Sequence, residues 1–221
     1  MSEWKGFFVT FEGIEGSGKT THAGRLFRFL TEQGFPCVLT REPGGTALGE
    51  KLRAILLDPA TERIDGLTEV LLFGASRCEH VRRVIWPALQ EGKVVICVRY
   101  VDSTLAYQGY GRKVPLSFLS LLNEMVVGKV FPELTFLLDV EPEAGVKRSL
   151  SATCREEIRF EEEFLQHRSL LEEIREGYLK IAESDPERFC VISTTCRSKD
   201  DVFEVIKGEV WRRLEERRLK K

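Results

Sequence analysis

The chain is most informative at first for what it lacks. No apolar run in its 221 residues approaches the roughly 18 that cross a bilayer, and the opening "MSEWKGFF" is charged and aromatic where a secretory signal is apolar. A membrane partner is therefore not expected, and a cytoplasmic location is. Lys plus Arg number 33 against 35 Asp plus Glu, a net charge of −2. That balance argues against a polycation that holds nucleic acid by bulk charge, so any anionic ligand must meet cations gathered locally. The six cysteines, Cys37, Cys78, Cys97, Cys154, Cys190 and Cys196, contain no CxxC pair. Three of them lie inside apolar runs, where free Cys behaves as a small hydrophobe, and neither a disulfide nor a zinc site is expected. His22, His80 and His167 sit in helical patterns among charged residues, with no partner pointing to a metal or a triad. Internal repeats, low-complexity segments, interdomain linkers and an NKxD guanine-reading motif are all missing.

What is present suits one globular domain over residues 1–221, with 43% hydrophobic and 31% charged residues. Short apolar runs alternate with longer helical patterns: "FFVTFE" (7–12), "CVLT" (37–40), "VVICV" (94–98), "LTFLLDV" (134–140) and "FCVIS" (189–193). Apolar on both faces, these runs predict five parallel strands buried on both sides, with helices as crossovers in an open α/β sheet. Helices are predicted near 19–33, 67–91, 162–183 and 199–218, the first two ended by Gly34 and Gly92. The basic end "RRLEERRLKK" reads as a solvated last helix whose cations complement its dipole.

Directly after the first strand comes "GIEGSGKTT", which matches GxxxxGK followed by Ser or Thr. In residues 13–21 the pattern is Gly13, Ile14, Glu15, Gly16, Ser17, Gly18, Lys19, Thr20 and Thr21. Glycines let the backbone curl its N–H groups round a phosphate, Lys19 reaches the outer phosphates, and the Thr20 hydroxyl is placed to ligate Mg²⁺. A nucleoside triphosphate with Mg²⁺ is implied, seated at the carboxyl ends of the strands.

Such a loop serves switches, motors, transporter subunits and small-molecule kinases alike, so the other strand ends must decide. The second strand runs into "TREPGGT", which puts Arg41 and Glu42 at that same edge, and the third runs into Arg99. With Arg77 these arginines form a candidate clamp for a second phosphorylated molecule. Phe73 and Arg77 are four apart on one predicted helix, so a ring and a planar donor stand side by side as a base site needs. The segment "RYVDSTLAYQGYG" after the third strand reads as a polar, glycine-punctuated loop that brings Tyr107 and Gln108 towards the same place.

The stretches "FEGIEGSGKTT", "TREPGGT", "LLFGASRCEHV", "RYVDSTLAYQGYGR" and "LTFLLDV", in this order, resemble bacterial thymidylate kinases across nearly the whole chain. The resemblance implies a nucleoside monophosphate kinase of the P-loop fold, strand order 2-3-1-4-5, usually a homodimer, that uses ATP and Mg²⁺ to convert dTMP to dTDP. It implies that Glu15 reaches the acceptor's sugar hydroxyl, Phe73 stacks on thymine and Arg77 donates to the base carbonyl. It likewise implies that Arg41 and Arg99 hold the acceptor phosphate, with Glu42 nearby, that Tyr107 crowds out a 2′-hydroxyl, and that Ser103, Thr104 and Gln108 complete the thymine pocket. A lid near 149–161, "SLSATCREEIRF", is implied to supply Arg155 and Arg159 to the transferring group, and Arg148 to pack on adenine.

Two places break the family's pattern. Its arginine after the third strand normally follows an aspartate, whereas here Val98 precedes Arg99. An isopropyl group neither accepts a hydrogen bond nor offsets Mg²⁺ charge, and losing such an outer-shell partner costs about 10- to 100-fold in metal affinity or activity. Glu12, Glu42 and Asp102 are the carboxylates available to compensate. The lid reads "IRFE" where relatives commonly carry Asp-Arg-Phe-Glu. A weakened or non-catalytic nucleotide-binding relative, and a kinase for another monophosphate, are therefore the alternatives to a thymidylate kinase.

Overall fold

The structure is a computed structural model that describes residues 5–58, 61, 64–151 and 168–219. Its five strands are β1 (Phe7–Glu12), β2 (Cys37–Arg41), β3 (Val94–Val98), β4 (Leu134–Asp139) and β5 (Phe189–Ser193). They form one parallel sheet in the order β2-β3-β1-β4-β5. Each lies within one residue of its predicted run, because strands covered on both faces carry an unbroken apolar signal. Along β1 the side chains alternate: Phe7, Val9 and Phe11 face a core built with α1 (Lys19–Glu32) and the last helix, α9 (Lys199–Leu219), while Phe8 faces Ile85, Leu89 and Tyr100 on the other side.

Helices also form at α2 (Ala47–Leu57), α3 (Gly66–His80), α4 (Trp86–Gln90), α5 (Val101–Thr104), α6 (Leu116–Val127), α7 (Pro142–Leu150) and α8 (Arg168–Ser184). The long helix predicted over 67–91 forms without a break from Gly66 to Gln90 but contains a π-helical turn, Val81–Ile85, just before Pro87. Proline brings no N–H and its ring crowds the preceding turn, and a widened turn is one way a helix accommodates that.

A larger departure concerns the predicted loop after β3. Residues 101–111 are helical, α5 continuing into a π-helix over Leu105–Gly111. Glycine signals a loop in sequence, but here Gly111 lies against Ile174 and Leu170 of α8, where any Cβ would crowd them. Tertiary packing overrides local propensity, and the widened helix carries Tyr107 and Gln108 under the carboxyl edge of the sheet. Because all strands run the same way, the loops after β1, β2 and β3 emerge together at that edge. Among the described residues, no helix is long and apolar enough to cross a membrane.

Candidate active site

The loop between β1 and α1 is held by its own glycines. Gly16 has φ +69, and a Cβ there would meet the Gly145 carbonyl oxygen of α7 at 2.0 Å, so only glycine fits. Gly13, at φ +133, similarly lies against the Leu138 carbonyl of β4. Inside the curl, Lys19 Nζ donates to the carbonyls of Gly13 (2.9 Å) and Ile14 (2.7 Å), with Ser17 Oγ at 3.4 Å. Lys19 is buried while Thr20 and Thr21, in the first turn of α1, are exposed. The same turn carries His22, which burial and the charges of Arg25 and Lys199 push down to about 4, so it stays uncharged at neutral pH.

Beside this loop opens a cleft. Glu15 comes to it from the loop, Glu42 and Pro43 from the turn after β2, Phe73 and Arg77 from α3. Arg99, Ser103, Thr104, Tyr107 and Gln108 come from the segment after β3. Nine of the predicted acceptor-site residues therefore meet in one cleft, while the tenth, Arg41, does not line it. It stands at the end of β2, exposed, and pairs with Glu50 of α2 at 3.2 Å. On an edge strand its side chain points outwards, which a position counted along the sequence does not reveal.

The cleft is organised by charge. Arg99 Nη2 donates to Glu15 Oε1 at 2.7 Å, Tyr107 Oη donates to the same oxygen at 2.8 Å, and the Arg99 guanidinium lies 4.9 Å from the centre of the Tyr107 ring. Glu15 Oε2 is buried without a hydrogen-bond partner, an acceptor open to a ligand. Arg77 is buried and nearly saturated: Nε donates to Glu42, Nη1 to Thr104 Oγ1 and Asn123 Oδ1, Nη2 to the Tyr100 carbonyl. Of its five N–H groups, one on Nη2 is left over.

Val98 ends β3 inside the apolar cluster on the α1 side of the sheet. The three carboxylates considered as substitutes each have other work. Glu42 pairs with Arg77 (2.7 Å) and His80 (3.0 Å). Asp102 is gripped at 2.7 and 3.0 Å by both Nη atoms of Arg188. Glu12 is fully buried, receiving the Tyr100 N–H at 2.7 Å, Ser103 Oγ at 2.6 Å and Tyr178 Oη at 3.0 Å. Burial, reinforced by the charge of Asp102, pushes Glu12 up to about 7 against the pull of Ser103, Arg99 and Tyr178. None of the three is a ready replacement for the missing aspartate.

Several structural partners were not singled out from sequence. His80, read there as an unremarkable helical histidine, is fully buried between Glu42 and Thr40 Oγ1, and braces the carboxylate that holds Arg77. Arg53 of α2 is buried and donates to the Pro43 carbonyl at 3.0 Å, behind the turn that carries Glu42. Its signal was a charged residue on the inward stripe of α2, beside Leu56. Exposed Arg148 reaches from α7 to the Thr194 and Thr195 carbonyls, past the end of β5. The predicted lid centre, with Arg155 and Arg159, lies outside the described residues.

Comparison with known proteins agrees with this geometry. A family profile described as thymidylate kinase matches residues 11–206. A thymidylate kinase of Oleidesulfovibrio alaskensis is 48% identical over 208 residues, covering 92% of this chain and 96% of its own. One of Desulfosudis oleivorans is 46% identical over 190 residues, 84% and 87% of the two chains. The crystal structure of thymidylate kinase from Ehrlichia chaffeensis superposes with a TM-score of 0.73 at 37% identity, over 92% of this chain and 97% of that one. With the sheet order, the phosphate loop and the charged cleft already in place, these matches show that the chain belongs to the thymidylate kinase family.

Proposed function

We propose that this protein transfers the γ-phosphoryl group of ATP to dTMP, giving dTDP and ADP, and that the phosphate loop and the neighbouring cleft are its donor and acceptor sites. One observation carries the reading: buried Glu15 belongs to the phosphate loop and lines the cleft at once, joined there to Arg99 and Tyr107. Donor and acceptor would then meet head to head across a single residue. Family membership favours this over a non-catalytic relative.

In the proposed mechanism an oxygen of the dTMP phosphate attacks the γ-phosphorus in line, and the bond to the β-phosphate oxygen breaks, leaving ADP. No side-chain nucleophile is needed, so the protein acts by positioning and charge neutralisation. Lys19 exchanges the Gly13 and Ile14 carbonyls for phosphate oxygens, and Arg99 holds the acceptor phosphate. Phe73 stacks on thymine, Arg77 turns its remaining N–H to a base carbonyl, Ser103 and Thr104 close the pocket, and Tyr107 crowds the 2′ position. The unpartnered Glu15 Oε2 takes the sugar hydroxyl.

Mg²⁺ fits the donor chemistry present. Among the described residues no cluster of three His, Cys, Asp or Glu side chains stands ready to hold a metal, whereas Thr20 offers an exposed hydroxyl beside the loop. One protein oxygen with phosphate oxygens and water is the usual Mg²⁺ set in such sites. Bound there, the ion would neutralise charge on the transferring group.

Arg148 supports an adenine platform by its place beside the loop after β5, and Arg155 and Arg159 on the lid are proposed to reach the transferring phosphoryl group. We further propose a single domain over residues 1–221, a cytoplasmic location and a homodimer. The dimer is supported by large apolar side chains left in solvent on the neighbouring helices α3 and α6, where Leu71 is 52%, Leu121 57% and Met125 73% exposed. The test is a coupled ADP-release assay with ATP, Mg²⁺ and a panel of dTMP, dUMP, dCMP and GMP. Preferential turnover of dTMP is expected, and binding of both nucleotides without dTDP formation would overturn the reading.

A further inference from the structure

Glu69 sits in the first turn of α3, 1% exposed, directly behind the cleft. Gln108 Nε2 donates to its Oε1 at 2.6 Å, and Arg112 Nη2 stands 3.7 Å from its Oε2. Both ends of a glutamine amide have the same shape but opposite hydrogen-bonding sense, so what holds one end decides what the other presents. A carboxylate flanked by a guanidinium accepts and does not donate. With the nitrogen of Gln108 committed to Glu69, the end left for the cleft is the carbonyl oxygen, an acceptor.

We propose that Glu69 is the positioning residue that sets the base preference of the cleft, by holding Gln108 with its oxygen inward so that the site takes a ring bearing N–H at position 3. This rests on the acceptor reading above. Arg77 contributes one donor and cannot be reversed, since a guanidinium has no acceptor. Gln108 can be reversed unless it is held. A donor beside an acceptor complements the C4 carbonyl and N3–H of thymine or uracil. Cytosine carries the opposite pair, a C4 amine and an N3 lone pair. Arg77 therefore fixes half of the discrimination by its chemistry, and Glu69 fixes the other half by orienting its neighbour.

The experiment compares the full-length protein with Glu69→Gln, measuring KM and kcat for dTMP and the inhibition constant of 5-methyl-dCMP, which differs from dTMP only at the 3,4 edge. Glutamine at 69 keeps the volume but donates as well as accepts, which frees the amide of Gln108 to turn. The KM for dTMP should rise about tenfold with kcat within about twofold, the worth of one directed hydrogen bond. The ratio of the 5-methyl-dCMP inhibition constant to the dTMP KM should fall by about tenfold as well. A purely structural role would weaken both ligands together, so an unchanged ratio overturns the proposal whatever happens to overall affinity.

If the substitution unfolds the chain, ¹⁵N spectra of the wild type decide instead. The side-chain NH₂ protons of Gln108 should exchange slowly both before and after dTMP is added, because they remain on Glu69. Rapid exchange in either state would overturn the assignment. A wild type that neither binds nor phosphorylates dTMP would sink the kinase reading itself, whereas an active wild type with an unchanged ratio sinks only the role of Glu69.

Discussion

Replacing Glu12 by glutamine is expected to abolish a specific loss of stability with rising pH. In the unfolded chain this acid releases its proton near 4.5, and in the fold near 7, because burial and the charge of Asp102 outweigh the help of Ser103, Arg99 and Tyr178. Between those values the folded protein keeps a proton that the unfolded chain has lost. Stability from this group is therefore complete below pH 4.5, declines as the pH climbs through 7, and is flat above. An interval of about 2.5 pH units corresponds to about 3 kcal/mol. In Glu12→Gln the amide oxygen accepts from the Tyr100 N–H and the amide nitrogen donates to Ser103 or Tyr178, with no charge to desolvate. Thermal unfolding at pH 5, 6, 7 and 8 tests this. Between pH 5 and 8 about 2.5 kcal/mol of that stability is lost, so relative to the wild type the variant should gain roughly 5–10 °C in Tm across that range, at about 2–4 °C per kcal/mol for a chain of this length. Parallel curves would show that Glu12 is ionised at low pH in the fold, and the reasoning would fail.

Three further outcomes follow from other contacts. Phe73→Ala should raise the KM for dTMP about tenfold or more with a smaller change in kcat, since a base stacked on an aromatic ring is worth about 1–3 kcal/mol; steady-state kinetics that leave KM unmoved would remove Phe73 from the base site. Val98→Asp puts a carboxylate where an apolar cluster now closes, so urea unfolding should show a loss of about 1–3 kcal/mol. The Mg²⁺ concentration for half-maximal rate should drop about tenfold in the same variant, and an unaltered Mg²⁺ titration would argue that position 98 does not communicate with the metal. Asp102→Ala leaves the Arg188 guanidinium with Asp185 and Thr135 alone, removing two charge-assisted hydrogen bonds at a cost of about 1–3 kcal/mol, measurable as a lower urea midpoint.

Sequence revealed the sheet and the phosphate loop because both rest on local signals. Double-sided burial leaves continuous apolar strands, and the loop's glycines are demanded by its own backbone, as Gly16 against Gly145 illustrates. The segment after β3 was misread because its helical form depends on α8, some 60 residues further on, packing against Gly111. Arg41 illustrates the converse: the motif places it beside the site, but the direction of a side chain on an edge strand is a property of the assembled sheet. Glu69, Asn123 and His80 went unread for a related reason. Each acts on a residue that lines the cleft without lining it itself, and such support is visible only once the partner's position is known.

Arg99 adopts φ +65, a left-handed backbone that a side chain makes unfavourable by about 1 kcal/mol. Its main-chain N–H donates to the Phe11 carbonyl at 2.9 Å, while its guanidinium meets Glu15 and Tyr107. Backbone and side chain at this point ask for different amino acids. Glycine or asparagine would satisfy the turn and bring no positive fork, and any other residue with a long side chain would inherit the strain without the bidentate head. Position 99 is thus one of the few places where the molecule holds a small, permanent tension in exchange for aim, and where a random substitution has almost no neutral choice.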